Sequence, residues 1–169
     1  MSSFTIEKLA RHHPVDLFDC GAEPLNRFLV RFALTNQQAQ ASQSYVALAD
    51  GNVIGFYSLA VGEVSYGGAP ERLKKGLARH PVPIMILARL AVSKTWQGRG
   101  VGSGLLKDAM MRTAQAADIA GIRALVVHAK DEQARAYYAH FGFADGFSDP
   151  LHLYVLLKEI KEFLAGTRP

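Results

Sequence analysis

The sequence predicts a mixed α/β (α+β) domain in which a sheet carries helices on both faces. Three observations point there. Strand patterns come first and are followed by a strand-helix-strand-helix-strand order. Two continuous β-prone apolar runs, Ile84 to Val92 and Arg123 to Ala129, read as buried strands. A glycine-rich loop joins the first of these runs to a long helical pattern.

Phe4 to Leu9 alternates weakly and reads as an opening strand. Glu23 to Gln40 is rich in helix formers, and Leu25, Phe28, Leu29, Phe32 and Ala33 fall at helical spacing, which predicts one long helix with these residues on its inner face. Ser44 to Ala49 and Val53 to Val64 read as strands, joined through Asp50-Gly51-Asn52 as a hairpin. Gly67-Gly68-Ala69-Pro70 breaks the chain. Glu71 to His80 then reads as a short basic helix ended by Pro81-Val82-Pro83. After the run from Ile84 and the glycine loop, a helix is expected from Val101 to about Ala120, with Leu105, Leu106, Ala109, Met110, Thr113 and Ala117 inward and Gly121 as its stop. Asp131 is an N-cap candidate for a helix whose Ala134, Tyr137, Tyr138 and Phe141 share a face, and Gly142-Phe143 supplies the end. Leu151 to Lys158 is expected as the last strand. Lys158 to Phe163 continues as an extra helix, a dimer or partner element or a solvated tail.

The chain has 169 residues, 49% hydrophobic and 20% charged, the composition of an ordinary globular protein, and residues 1–169 are read as a single domain. The densest apolar run, Ile84 to Ala88, is closed by Pro83 and Arg89 and is far too short to span a membrane. The N-terminus lacks a secretory pattern, so a cytoplasmic location is expected. Cys20 is the lone cysteine, which excludes an internal disulfide, and no Cys/His cluster has zinc-ligand spacing, so no metal is expected. His12-His13 has no third ligand in the pattern.

The net charge is +4, and its distribution is uneven. Between Ser65 and Arg99 there are seven cations, Arg72, Lys74, Lys75, Arg79, Arg89, Lys94 and Arg99, against the single anion Glu71. Such a segment suits a polyanion, either a cofactor phosphate or a nucleic-acid backbone; a solvated helix face is the plainer reading.

Gln97-Gly98-Arg99-Gly100-Val101-Gly102 follows a strand and opens a helix, which places backbone N–H groups at the positive end of a helix dipole. That is a phosphate cradle, although a tight turn would use the same glycines. A dinucleotide fingerprint would need a third glycine where Ser103 stands, and no Gly-Lys-Ser/Thr is present for a P-loop. Ser103 is no nucleophile elbow either, because Val101 and Leu105 replace the flanking glycines.

With these residues the sequence resembles the GNAT acetyltransferases, whose acetyl-CoA pyrophosphate loop has the form Q-x-x-G-x-G between a strand and a helix. Leu87-Ala88-Arg89-Leu90-Ala91-Val92 is similar to the family's bulged strand before that loop, and Ala134 to Phe143 to its A-x-x-(F/Y)-Y-x-x-x-G-F helix. The resemblance implies a central, mostly antiparallel mixed sheet with a splayed strand pair and acetyl-CoA as co-substrate. It places the cofactor on Leu90, Ala91, Val92, Gln97, Gly98, Arg99, Gly100, Val101 and Gly102, with a backbone N–H of the bulge stabilising the oxyanion. It makes Tyr138, four residues before Gly142, the general acid, since a phenol with a pKa of about 10 is protonated at neutral pH. Tyr137 reads as a core aromatic.

A closer resemblance, from Phe18-Asp19-Cys20-Gly21 through Phe56-Tyr57-Ser58-Leu59 to the Tyr138 helix, is to the GNAT toxins of type II toxin-antitoxin systems. It implies acetylation of the α-amine of aminoacyl-tRNA, inhibition of translation, a ribbon-helix-helix antitoxin and a homodimer. Lys74, Lys75, Arg79 and Arg89 would then hold tRNA phosphates. An α-amine has a pKa of about 8, so a strong base is dispensable. Of the base candidates, Glu63 reads as a surface group and His128 as a structural residue. Two alternatives remain open at this level: a GNAT enzyme acting on a small-molecule amine or a protein N-terminus, and a non-catalytic acyl-CoA or nucleic-acid binding module.

Overall fold

A computed structural model describes residues 3–166. Six strands, β1 (Thr5–Lys8), β2 (Gln43–Ala49), β3 (Asn52–Val64), β4 (Val82–Val92), β5 (Ala124–His128) and β6 (His152–Leu156), follow one another in sequence order across the sheet. The β1–β2, β2–β3 and β5–β6 pairs are antiparallel, and β4–β5 is parallel. The helices are α1 (Glu23–Arg27), α2 (Ala33–Gln38), α3 (Glu71–Lys74), α4 (Val101–Ala117), α5 (Glu132–His140) and α6 (Leu157–Leu164). Two compact units result, one of the residues up to Ala60 with Ala88–Ala109, the other of Val61–Leu87 with the residues from Met110 onward.

In the first unit Asp50 and Gly51 form the two-residue hairpin turn between β2 and β3. Both have positive φ, 50° and 78°. This is the mirror-image turn whose twist matches that of the strands. The core gathers Phe28, Leu29 and Ala33 against Val46, Val53, Phe56 and Ala91. Phe56 meets Phe18 edge-on at 5.6 Å and stacks on Phe28 at 6.2 Å. Such pairs are worth about 0.5–1.5 kcal/mol each beyond burial. Gly55 points to the opposite face of β3 from Phe56. A Cβ on Gly55 would come within 2.9 Å of Leu105 and 3.2 Å of Val101, so α4 lies on that face and the helix around Phe28 on the other.

The expected helix from Glu23 to Gln40 is not regular. Phe28–Phe32 is a π-helical segment between α1 and α2, closed by the Ala33 N–H donating to the Phe28 carbonyl. The wider turn rotates the chain. Ala33 is buried as expected, while Phe32, also expected inward, is 50% exposed.

In the second unit Leu73, Val82, Ile84, Ala124, Val126, Tyr154 and Leu156 form the core. The expected basic helix to His80 is a single turn, Glu71–Lys74. Lys75 turns extended and Gly76 takes φ 81°, which stops the helix. The carbonyls freed at a helix end need donors from elsewhere. Arg123 supplies them, to Leu73 at 2.8 Å and to Lys75 at 2.9 Å. α4 ends at Ala117, short of Ala120, and Gly121 does not adopt the left-handed conformation expected of a stop. β6 also stops early, because Leu157 and Lys158 already belong to α6. α6 is no solvated tail: Ile160 and Glu159 are buried, and the Glu159 carboxylate accepts the Leu156 N–H at 3.1 Å and faces Arg72 at 3.0 Å. That carboxylate raises the Arg72 pKa.

Among the described residues no helix is long and apolar enough to cross a membrane.

Candidate functional site

The first unit carries the strand end and the glycine loop. The β4–β5 register ends at Leu87↔Val127, while β4 runs on to Val92, so Ala88–Val92 continue as a strand with no β5 partner. The chain then makes a short 3-10 turn, Lys94–Trp96, and enters the loop. Ser93 N–H donates to the Ile54 carbonyl at 2.8 Å, which anchors the loop entrance to β3.

Gln97 is held by its side chain. Its Nε2 donates to the Val92 carbonyl at 2.9 Å and to the Cys20 carbonyl at 3.1 Å, tying the loop to the end of β4 and to the segment before α1. That segment is itself fixed. Asp19 accepts from Gly21 N–H (2.9 Å) and the Asn26 amide (3.0 Å) and pairs with Lys94 (3.1 Å), and these donors, in that order, hold its carboxyl down at about 2. Asn26 also accepts from Cys20 N–H at 2.9 Å. Arg99 lies over the Trp96 ring at 4.0 Å and donates to the Thr95 carbonyl at 3.3 Å.

Gly98 and Gly100 have φ of 77° and 85°, and a Cβ on either would meet nothing within 4 Å. Side chains rarely adopt that region. The glycines are therefore required by backbone conformation, and their side facing away from the protein is open. Gly104 N–H donates to the Gly100 carbonyl at 3.1 Å. The amides of Val101, Gly102 and Ser103 stand ahead of that first helical donor, at the positive end of the 17-residue α4. Free amides at a helix start suit a pyrophosphate, and Leu90, Ala91 and Val92 form the end of the strand that leads into the loop. Leu90 and Val92 are half-buried and Ala91 is buried.

The second unit carries Tyr138. Asp131 caps α5 by accepting the Ala134 N–H at 2.8 Å. Gly142, at φ 94°, ends the helix: its N–H donates to the Ala139 carbonyl at 3.0 Å, and Phe143 N–H to the Tyr138 carbonyl at 3.2 Å. This is a Schellman arrangement. Phe143 returns over the helix and meets the Tyr138 ring edge-on at 5.5 Å. The A-x-x-Y-Y-x-x-x-G-F spacing thus works as a clamp on one ring. Tyr138 is buried, and burial, with a smaller effect of Tyr137, pushes its hydroxyl pKa far above the ordinary tyrosine value. Tyr137, expected in the core, lies at the surface, packed on Phe141 at 5.1 Å.

The four candidate phosphate contacts do not share one environment. Arg89, in the first unit, stacks its guanidinium 3.6 Å over the Phe28 ring, and burial lowers its pKa. Lys74 and Arg79, in the second, share the ring of Tyr66 at 4.8 and 5.8 Å. Lys75 is exposed. Two other cations of the basic segment are spent on structure, Arg72 on Glu159 and Lys94 on Asp19. Sequence reasoning missed Tyr66; its signal was an aromatic residue set directly before the Gly67-Gly68 break and the cations that follow.

Glu63 and His128 are exposed. His128 stacks on His152 at 3.8 Å, and partial desolvation of its ring and the neighbouring imidazole lower its pKa. The fold supplies His12-His13 with the third candidate ligand that the sequence did not show, Glu7. Even so, His13 accepts the Ala10 N–H at 2.9 Å and sits 3.1 Å from Glu7, so its ring is satisfied without an ion.

The profile of the acetyltransferase (GNAT) domain matches residues 40–145. A tRNA-acetylating toxin of Mycobacterium tuberculosis (strain ATCC 25618 / H37Rv) is 44% identical over 89% of this chain and 90% of its own length. Among solved structures, AtaT complexed with acetyl-methionyl-tRNAfMet superposes with a TM-score of 0.88 at 27% identity, covering 96% of this chain and 99% of the other. A mutant of the AtaT toxin bound to the C-terminus of the antitoxin AtaR and acetyl-CoA gives 0.80 at 27% identity over 96% and 98%. With the matched profile spanning both the glycine loop and the Tyr138 helix, the chain belongs to the GNAT acetyltransferase family.

Proposed function

We propose that the protein is an acetyl-CoA-dependent N-acetyltransferase that acetylates the α-amine of aminoacyl-tRNA, a toxin that stops translation by making charged tRNA unusable. One observation carries the substrate: 44% identity along nine-tenths of both chains with a tRNA-acetylating toxin. The loop geometry fits the co-substrate, because left-handed Gly98 and Gly100 leave the amides of Val101 and Gly102 open to phosphate oxygens.

Acetyl-CoA supplies the acetyl group as a thioester. Gln97 and Arg99 hold the loop in shape, one by hydrogen bonds to Val92 and Cys20, the other by stacking on Trp96. Leu90, Ala91 and Val92 offer backbone amides and carbonyls to the pantetheine arm and one N–H to the carbonyl oxygen on which charge develops. Tyr138 gives its hydroxyl proton to the departing thiolate and regains one, through solvent, from the cationic nitrogen of the tetrahedral adduct, so that CoA leaves as the thiol and the product is the neutral amide. Its elevated pKa keeps that proton in place at any physiological pH and excludes Tyr138 as a base. The incoming amine needs none, since at a pKa of about 8 part of it is neutral near pH 7.

Lys74, Lys75, Arg79 and Arg89 are assigned to tRNA phosphates. We read residues 1–169 as one catalytic domain, as β3, β4 and α4 each give residues to both compact units. A cytoplasmic location follows from the substrate. The homodimer and the ribbon-helix-helix class of the antitoxin rest on the family resemblance.

The test is transfer of label from acetyl-CoA to charged tRNA, with release of N-acetyl-aminoacyl-adenosine on nuclease digestion. Label on free lysine or polyamines and none on any aminoacyl-tRNA would falsify the substrate assignment and leave the acetyltransferase one standing.

A further inference from the structure

Arg72, Lys74 and Arg79 of the second unit are held in two different ways. Arg72 faces the Glu159 carboxylate at 3.0 Å, and its charge is cancelled where it sits. Lys74 and Arg79 are fixed chiefly by groups that carry no net charge. Lys74 Nζ donates to the Tyr66 carbonyl at 3.2 Å and stands 4.8 Å from the centroid of the same residue's ring, while Glu71, itself almost fully exposed, lies 3.9 Å away. The Arg79 guanidinium carbon is 5.8 Å from that centroid. A ring quadrupole and a carbonyl restrict a cation's motion and leave its charge available.

The surroundings make this a built platform rather than a chance cluster. Tyr66 closes the turn after β3, with its carbonyl also accepting from Ala69 N–H at 3.4 Å and Ser65 accepting from Gly68 N–H. Arg123 fixes the other side by its bonds to the Leu73 and Lys75 carbonyls, which end α3 after one turn and leave the Lys75 side chain exposed. Had the segment stayed helical to His80, Arg79 would have followed the helix surface. The early stop brings it to the ring that already holds Lys74.

We propose that Tyr66 is a positioning residue for nucleic-acid binding: its ring and carbonyl set Lys74 and Arg79 at a fixed spacing to receive phosphates of the charged tRNA. This rests on the aminoacyl-tRNA reading above. The physical role is preorganisation, since two long side chains already restrained lose less freedom when they bind.

The test compares the full-length enzyme with Tyr66→Phe, which keeps the ring, and with Tyr66→Leu and Tyr66→Gln, which remove it. KM for charged tRNA, KM for acetyl-CoA and the salt dependence of tRNA binding are measured for each. Loss of the two ring contacts is expected to raise KM for charged tRNA about three- to tenfold. The slope of log Kd against log salt should fall by roughly one phosphate contact. kcat and KM for acetyl-CoA stay within about twofold, and Tyr66→Phe behaves as wild type. An unchanged KM for charged tRNA in both ring-less variants overturns the proposal, even if either then binds the antitoxin less tightly. So does a Tyr66→Phe variant as impaired as Tyr66→Leu. A wild-type enzyme that labels no charged tRNA overturns the underlying substrate assignment instead, which keeps the two failures apart.

Discussion

The side-chain amide of Gln97 donates to the carbonyl oxygen of Val92 at 2.9 Å, so the first residue of the glycine loop is bonded to the last residue of the strand before it. The same nitrogen reaches the Cys20 carbonyl, and loop, strand end and the Asp19–Gly21 segment become one hydrogen-bonded unit. Gln97 therefore fixes the shape of the glycine loop.

From this follows the first prediction. Gln97→Ala leaves two carbonyls without their donor and should cost about 1 kcal/mol of stability. Because the loop loses its tether, KM for acetyl-CoA should rise severalfold while kcat changes less. Steady-state kinetics with acetyl-CoA varied, alongside a thermal melt, check both; an unaltered KM would show that the tether is dispensable.

Gly100→Ala addresses backbone conformation rather than hydrogen bonding. At φ 85° a Cβ meets no neighbouring atom, so the penalty is purely conformational. A left-handed residue with a side chain costs about 1–2 kcal/mol. Either the protein carries that strain or the loop relaxes and turns its amides away. Calorimetric titration with acetyl-CoA should find at least tenfold weaker binding, and wild-type affinity would remove the loop from the site.

Tyr138→Phe should retain acetyl-CoA binding and lose most turnover. Burial raises the hydroxyl pKa, so the folded protein holds this proton more tightly than the unfolded chain. The sign is then fixed. Acid capacity persists through about pH 9, and folded-state stability begins to fall only above about pH 10, where the unfolded tyrosine ionises. A rate profile for charged tRNA should accordingly climb through about pH 8 as the amine deprotonates and show no descending limb below about pH 10. A descending limb at about pH 8–9 that vanishes in Tyr138→Phe would contradict the burial argument.

Tyr57 is fully buried, stacks on Tyr45 at 5.0 Å and donates its hydroxyl to the Asp108 carboxylate at 2.5 Å, joining β3 to α4. Tyr57→Phe removes a hydrogen bond to a charged group and should destabilise the fold by about 1.5–3 kcal/mol. Denaturant unfolding would show this as a lower midpoint at unchanged slope. A shift below about 0.5 kcal/mol would mean that Asp108 finds another donor at no loss.

Much of this was legible in the sequence because local patterns report local physics. The hairpin turn at Asp50-Gly51-Asn52, the Asp131 cap and the Gly142-Phe143 stop each depend on a few adjacent residues, and the structure has them at those positions. Element ends were less legible. The helix after Glu71 has the composition to continue, yet Gly76 and the distant Arg123 end it. Helical spacing turns Phe32 inward, yet the π turn, which spacing does not reveal, leaves it half exposed.

By itself the sequence determined the family, the place of the glycine loop between a strand and a helix, and the cap and stop of the helix that carries Tyr138, since these are properties of short segments. Only the tertiary structure decided which charges are spent. Arg72 and Lys94 pair with carboxylates far along the chain, which no local pattern encodes, whereas Arg89 lies over Phe28 and Lys74 and Arg79 lie by the ring of Tyr66 with their charge available. A net charge counts cations, whereas the field that a ligand meets depends on which of them face a carboxylate, as Arg72 does at 3.0 Å, and which face a ring.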